Sequence, residues 1–437
     1  MMSKWFKYLL CISFFIYIGF WLFTIYLANI QKQRNLEPVL PVVPQDSEEY
    51  RNLAESLIQH HSFAQNGVTD TLRSPGYPTF VAFFKTITGS YFAVTLAQIL
   101  LVFLSALVIR KLGILFHSIQ AGEIAAAIFL FYPLTLTLSL IVLTDIFFLF
   151  LFLSGFYFIL SKKNIILASL LFAVAIYARP MGIFALPIFL APILVSESAV
   201  REKIKSTVIM ILIVLLAVSP WVYRNYKLTG VADFTSFKAI NLAYYAVPLY
   251  LANANHTTLD NERANLENKL GLSRGKWSDL KYSNTVSSAA EKIILENLPS
   301  YLKFHIFSSL PFLFSSSIQD TLVTYQNAMH LPRVNEPGAV NFLVSRQWKL
   351  FFQSISRVSW KIGERIIWIL VYIIASFGFW KNRRNPLAYA FLFIPAYLML
   401  LAGPAANARY ALQGFPFILL LFSSGMLSLT QRKNVQK

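Results

Sequence analysis

The chain has 437 residues, 56% hydrophobic and only 13% charged, about half the ~25% charge of an ordinary soluble domain. Its net charge of +18 suggests nucleic acid, yet much of the excess falls in short clusters between apolar runs: Lys4 and Lys7, Arg110 and Lys111, Lys162 and Lys163, Arg201, Lys203 and Lys205, Lys381, Arg383 and Arg384, Arg432 and Lys433. That is the positive-inside pattern of a membrane protein and argues against a nucleic-acid partner, while the single cysteine, Cys11, excludes an intrachain disulfide and a cysteine metal site.

Apolar runs long enough for a ~30 Å hydrocarbon core recur along the chain. They predict an all-α, polytopic, integral membrane protein. The first run, 8–30, follows two lysines and is too long for a signal peptide core, so it reads as a retained anchor with its amino terminus in the cytoplasm. A polar loop, 31–88, comes next. Within it Tyr50, Leu53, Ala54, Leu57 and Ile58 share one helical face, which predicts an amphipathic helix on the membrane surface. Six further runs follow at 91–108, 121–143, 146–160, 165–178, 182–195 and 207–222, closing an amino-terminal module of residues 1–222. The region 223–365 mixes apolar and polar residues and has helical spacing at 287–298. Runs at 366–379, 387–402 and 410–429 and a basic tail complete a carboxy-terminal module, 366–437. With the basic clusters inside, the loop 31–88, the turns at Asp145 and Arg179, the region 223–365 and the turn 404–409 all lie outside. The stretch 301–318 reads as re-entrant, interfacial or one of a pair of weak crossings, so ten to twelve crossings are expected.

Ionisable residues at membrane depth are costly and tend to mark function. On the outer face are Asp46 and Arg73 in the first loop, Asp145, Arg179, Arg224 with Asn225, and Arg409. Two acids and several arginines suit a phosphorylated, membrane-bound substrate, with arginines on phosphate oxygens and acids on a proton or a metal. Each also has a plainer role. Asp46 stands three residues before Glu49, as in a capping box; Asp145 is placed to cap the next helix; Arg179, Arg224 and Arg409 fit snorkelling at the interface. Glu48 and Glu49 read as cap or solvent residues. His60 and His61 lack the partner spacing of a metal site. Pro75, Gly76 and Pro78 predict a turn returning the loop to the membrane.

In this order the motifs resemble the GT-C superfamily of polytopic glycosyltransferases, in particular the protein O-mannosyltransferases and lipid A aminoarabinose transferases. They are Asp46 with Tyr50, Leu53 and Ala54; Arg73-Ser74-Pro75-Gly76-Tyr77-Pro78; Leu143-Thr144-Asp145; Arg179-Pro180; Pro220-Trp221-Val222-Tyr223-Arg224-Asn225; and Arg409-Tyr410 with Pro416. Ser47 separates Asp46 from Glu48, where many relatives have adjacent acids.

The resemblance implies a bundle of GT-C type and an inverting transfer of sugar from an undecaprenyl- or dolichyl-phosphate carrier to a lipid, glycan or protein acceptor. It implies Asp46 and Asp145 as catalytic residues, and Tyr50, Arg73, Tyr77, Arg179, Arg224, Asn225 and Arg409 as substrate-binding ones. Metal dependence stays open, a divalent cation shared by the two acids being one option. It places the enzyme in a bacterial inner membrane with its site on the periplasmic face. The competing readings are a polymerase or ligase of lipid-linked glycans, and a non-enzymatic transporter; no internal repeat of the kind found in transporters is visible.

Overall fold

The computed structural model describes residues 2–43, 45–161, 164–194, 198–331 and 348–435. Lys162, Lys163 and residue 195 of the sixth predicted segment lie outside the described residues. Among the described residues the regular structure is helical apart from one two-stranded hairpin.

Among the described residues, five helices are long and apolar enough to cross a membrane: Lys4–Gln33, Phe92–Phe116, Val200–Thr229, Lys361–Lys381 and Pro386–Ala405. One bent pair, Ile119–Phe131 with Pro133–Ser139, and four shorter apolar helices accompany them. Together they account for every apolar segment read from the sequence. The protein is an all-α, multi-pass membrane protein, as expected of a chain whose backbone polar groups must be satisfied within each segment.

In chain order the helices are α1 (Lys4–Gln33), α2 (Asp46–His60), α3 (Gly76–Thr88), α4 (Phe92–Phe116), α5 (Ile119–Phe131), α6 (Pro133–Ser139), α7 (Thr144–Leu160), α8 (Ile165–Ala178), α9 (Leu186–Leu194) and α10 (Val200–Thr229). The strands β1 (Ala64–Gln65) and β2 (Val68–Thr69) lie between α2 and α3. The region after α10 forms α11 (Phe237–Ile240), α12 (Val247–Asn255), α13 (Leu259–Leu270), α14 (Ser283–Glu296), α15 (Leu298–Ser309), α16 (Pro311–Phe314) and α17 (Ser317–Ala328). The last elements are α18 (Trp348–Lys381), α19 (Pro386–Ala402), α20 (Ala408–Ala411) and α21 (Phe415–Val435).

Three boundaries differ from expectation. The second segment continues past Val108 to Phe116, carrying Arg110 and Lys111 inside α4. The side chain of Arg110 explains this: its Nε donates at 3.1 Å to Glu123, a fully buried acid on α5 that also accepts from the backbone N–H of Ser3 at 2.9 Å. The third segment is broken rather than continuous. Pro133 has no N–H and pushes the residue before it out of helical geometry; Tyr132 is extended and α5 and α6 meet at 60°. The seventh segment spans Val200–Thr229, so Arg224 and Asn225 sit within its last turns. The stretch 301–318 is not one crossing: it breaks after α15 and again after α16, and the 12 residues of α15 span only about 18 Å.

The bundle has two distinct ends. Ser3, Arg110 and Glu123 meet at one, where His117 also contacts Asn382 at 3.2 Å and Asn385 donates to the Phe116 carbonyl at 3.1 Å. Lys4 and Lys7, Arg110 and Lys111, Lys203 with its neighbours, and the 381–384 cluster lie at this end. The loop 31–88, the start of α7, the end of α8 and α20 meet at the other. Glycine lets the crossing helices approach closely. A Cβ on Gly122 would stand 2.2 Å from the Arg110 carbonyl oxygen, and one on Gly378 would stand 2.0 Å from that of Leu421.

Residues 237–296 form a small helical unit with its own core, in which Trp277 is fully buried against Ala243, Val247, Leu266 and Val286. It is fastened to the first loop through Thr71, whose carbonyl accepts from Ser236 N–H at 3.0 Å and whose hydroxyl accepts from Leu280 N–H at 3.0 Å.

Candidate functional site

The first loop is built to aim two side chains at one point. Helix α2 begins at Gln45, in positive φ, and Asp46 is its first helical residue. Its carboxylate makes no capping bond, so the capping-box reading does not hold. Tyr50, Leu53 and Ala54 bury the predicted apolar face of α2. After α2 a hairpin turns on Asn66-Gly67, with φ of 49° and 77°, the left-handed pair that a two-residue turn demands. Asp70 then accepts from the backbone N–H groups of Leu72 at 3.0 Å and Arg73 at 2.7 Å, which folds Arg73 back over α2. Burial pushes the Asp70 carboxyl up, against those bonds and the nearby Arg73 charge. The Pro75-Gly76-Tyr77-Pro78 run is the start of α3 rather than a free turn. A Cβ on Gly76 would lie 2.6 Å from the Tyr177 carbonyl, so only glycine lets α3 rest on α8.

The cluster itself joins five separate parts of the chain. Asp145, in the first turn of α7, is fully buried. Arg179 Nη1 donates to its Oδ1 at 2.7 Å, and Arg409 Nε to its Oδ2 at 2.8 Å. Arg409 reaches further, and its Nη1 donates to Asp46 Oδ2 at 2.9 Å. The other oxygen of Asp46 accepts from Arg73 Nη2 at 2.5 Å. Arg73 also donates to Glu49 at 2.7 Å and to the Tyr50 hydroxyl at 3.2 Å. Glu49, read from sequence as a cap or solvent residue, is therefore an ion-pair partner. Gln413, with its amide oriented to suit its neighbours, accepts from Arg179 Nη1 at 2.8 Å. Three acids face three arginines in one hydrogen-bonded chain.

Accessibility separates the two aspartates. The side chain of Asp46 is 37% exposed and that of Asp145 is 0% exposed, with Arg409 between them at 22%. Asp46 and Arg409 can meet a ligand, whereas Asp145 is closed to solvent and bonded to Arg179 and Arg409. Burial raises the Asp46 carboxyl, but the charges and hydrogen bonds of Arg73 and Arg409 outweigh it and hold the group well below the usual carboxylate range.

Of the remaining candidates, Tyr77 is fully buried, edge-on to Tyr50 at 5.1 Å between ring centres, and donates at 2.6 Å to Gln98. It supports the site from behind and has no route to a ligand. Arg224 and Asn225 do not join the cluster. Arg224 donates to the Asp70 carbonyl at 3.1 Å and lies over the Trp221 ring at 4.2 Å. Asn225 accepts from Arg224 at 2.8 Å and donates to the carbonyls of Asp233 and Phe234. In this arrangement the pair clamps the loop to α10. A divalent cation does not fit the residues present: guanidinium donors occupy both carboxylates, and among the described residues no group of three or more His, Cys, Asp or Glu is placed to hold a metal. His60 and His61 are exposed.

Sequence reasoning missed Glu49, Gln98, Gln413 and Tyr245. Gln98 was detectable as a lone amide inside an apolar run; it is fully buried, and its Nε2 donates to the Ile141 carbonyl at 2.7 Å, supporting the strand-like approach to Asp145. Tyr245 carried no such signal. It sits on a π-helical turn, Asn241–Ala246, which packs against the residues just before Arg409. Burial and the charge of Asp46 raise its hydroxyl pKa, so the helical unit 237–296 contributes a half-exposed tyrosine beside the cluster.

No protein-family model matches the chain, and no curated protein matches its sequence. Among solved structures, ArnT from Cupriavidus metallidurans in the apo state is similar at 13% identity, covering 93% of this chain and 77% of ArnT, with a TM-score of 0.40. The same protein bound to undecaprenyl phosphate is similar at 13% identity over 95% of this chain and 77% of its own, with a TM-score of 0.44. The archaeal oligosaccharyltransferase AglB from Archaeoglobus fulgidus, in complex with an inhibitory peptide and a dolichol-phosphate, is similar at 14% identity and a TM-score of 0.47. That match covers 98% of this chain and 51% of AglB, so the chain spans about half of that protein's length.

Proposed function

We propose that this protein is an inverting membrane glycosyltransferase of the GT-C type, taking sugar from a polyprenyl-phosphate carrier on the face opposite its basic clusters. The observation that carries the reading is the Asp46–Arg409–Asp145 chain. It offers one accessible carboxylate and one accessible guanidinium, held by a buried acid, which suits a substrate carrying a phosphate.

In the proposed reaction an acceptor hydroxyl or amine attacks the anomeric carbon from the face opposite the phosphate. The new bond forms as the bond from that carbon to the phosphate oxygen breaks. Asp46 takes the acceptor's proton, and the lipid phosphate leaves with the electron pair. Arg409 is the accessible arginine and stabilises the charge that develops on the departing oxygen; Arg73 and Arg179 surround it. Asp145 does not touch substrate. It is a positioning residue that orients Arg179 and Arg409.

The resting cluster also orders these events. A carboxylate clamped by two guanidiniums is a weak base. A donor phosphate competes with Asp46 for Arg409, and as that bond is exchanged Asp46 recovers basicity. Base strength thus appears when the donor is bound. The test is an in vitro transfer assay in proteoliposomes offering monosaccharide and oligosaccharide carriers. Transfer of a single sugar by the wild type, and none by Asp46→Asn, is expected. Transfer only from the oligosaccharide carrier would assign the protein to the glycan polymerases or ligases instead.

A further inference from the structure

A second feature lies at the basic end of the bundle. A cavity of about 1310 Å³ opens between the end of α7, the start of α8, α9, the start of α10 and the start of α19. That exceeds the ~300–1,000 Å³ of a pocket for a drug-sized molecule. Helix α7 runs from Asp145, in the cluster, to Leu160, at the cavity, so the two are separated by about 22 Å along the helix axis. The cavity is therefore no part of the reaction site.

Its walls and its mouth differ in chemistry. Ile165, Ile193, Leu387 and Phe393 make apolar walls, and Ile166, Leu392 and Phe393 are exposed, so the cavity opens sideways toward lipid. Lys203 and Ser206 stand at the mouth with Asn164 and Glu202, the one acid among the described lining residues. Lys203 donates one bond, to the Leu194 carbonyl at 2.9 Å, which leaves two ammonium protons for another acceptor. Arg201 and Lys205 flank it, and Lys381, Arg383 and Arg384 immediately precede α19. Three helices of 14, 30 and 17 residues begin here, so three positive dipole ends add to these charges. A basic rim over an apolar cleft between membrane helices matches an anionic lipid headgroup above its chains.

We propose that this cavity binds one anionic phospholipid of the leaflet at the basic end, its acyl chains between α8 and α19 and its phosphate at Lys203. The cleft is thus a lipid site, distinct from the one for the sugar carrier. The inference does not rest on the proposed transfer reaction, and its test reads bound lipid alone.

The full chain is reconstituted into vesicles of equal phosphatidylglycerol and phosphatidylcholine, extracted in mild detergent and weighed by native mass spectrometry. One retained phosphatidylglycerol, preferred at least fivefold, is expected. Lys203→Glu should reduce the preference below twofold, Lys203→Arg should keep it, and Ala396→Trp, which places an indole in the cleft, should abolish retention. Equal retention of the two lipids, no retained lipid, or retention of a polyprenyl phosphate in its place would each overturn the proposal. So would retention unchanged by both Lys203→Glu and Ala396→Trp. If a variant fails to fold, the wild-type competition alone decides.

Discussion

The same substitution at the two aspartates should fail in opposite ways. Asp145→Asn removes a fully buried negative charge from between Arg179 and Arg409. Arg179 has a side chain only 9% exposed and then keeps its charge without an acid partner. Breaking a buried pair from one side costs about 3–5 kcal/mol, because the remaining charge is desolvated and uncompensated. Asp46→Asn removes an acid that is 37% exposed. Solvent screens its pairs with Arg73 and Arg409, so the stability cost is about 1 kcal/mol or less. On the proposed mechanism its catalytic cost is larger: loss of a general base lowers the rate by about 10²–10⁴-fold. Detergent-solubilised protein can be followed by thermal denaturation and, once reconstituted, by transfer of labelled sugar. Asp145→Asn should melt early, whereas Asp46→Asn should melt near the wild type and turn over poorly. An Asp46→Asn enzyme with near-normal turnover, or an Asp145→Asn protein as stable as the wild type, would refute the division of labour.

Four further outcomes follow from the geometry. Arg409→Gln removes one of the two cations that hold Asp46 low, so the acidic limb of the kcat/KM profile should move to higher pH; an unmoved limb would mean that Asp46 is not the titrating base. The Asp46 carboxyl lies below its unfolded value of about 3.9, so its stabilising contribution is complete above that value and is lost as pH falls through the folded pKa. Thermal stability should therefore be flat with respect to Asp46 down to about pH 5 and decline below about pH 4, and that acid-side loss should shrink in Asp46→Asn. Asp70→Asn keeps one oxygen for the Leu72 and Arg73 N–H groups but sets an amide nitrogen against Gln65 Nε2, which donates to the other Asp70 oxygen at 2.7 Å, so stability should fall by about 0.5–1.5 kcal/mol with transfer little changed; a large loss of activity would give Asp70 a role in the chemistry. Gly76→Ala forces a methyl to 2.6 Å from the Tyr177 carbonyl and should cost about 1–3 kcal/mol, read as a lowered Tm.

Much of the bundle was legible because the membrane writes simple rules. The predicted 165–178 run coincides with α8, and α2 begins at Asp46 with the expected face buried. Segment ends were less legible where a charge inside a helix has a distant partner. Arg110 looked like a loop residue because nothing local announces Glu123, which Ser3 also holds, as its partner. The site showed the same division. Residue order and orientation were enough to gather Asp46, Asp145, Arg73, Arg179 and Arg409. They could not separate a buried acid from an accessible one, because burial is set by packing. Arg224-Asn225 carries the same chemistry as the other arginines, yet its bonds go to backbone carbonyls of the loop.

The bond between Arg409 and Asp46 spans 363 positions, and that between Arg409 and Asp145 spans 264. On a ribosome, both acids emerge and are inserted long before their shared partner exists. Asp145 must then reside near the membrane with Arg179 as its arginine neighbour until α19 has been threaded and α20 follows. Completion of the centre is thus a late event in biogenesis, and a nascent chain lacks the whole cluster while its own insertion is unfinished. A chain truncated ahead of Ala408 should insert its first helices normally and remain inert.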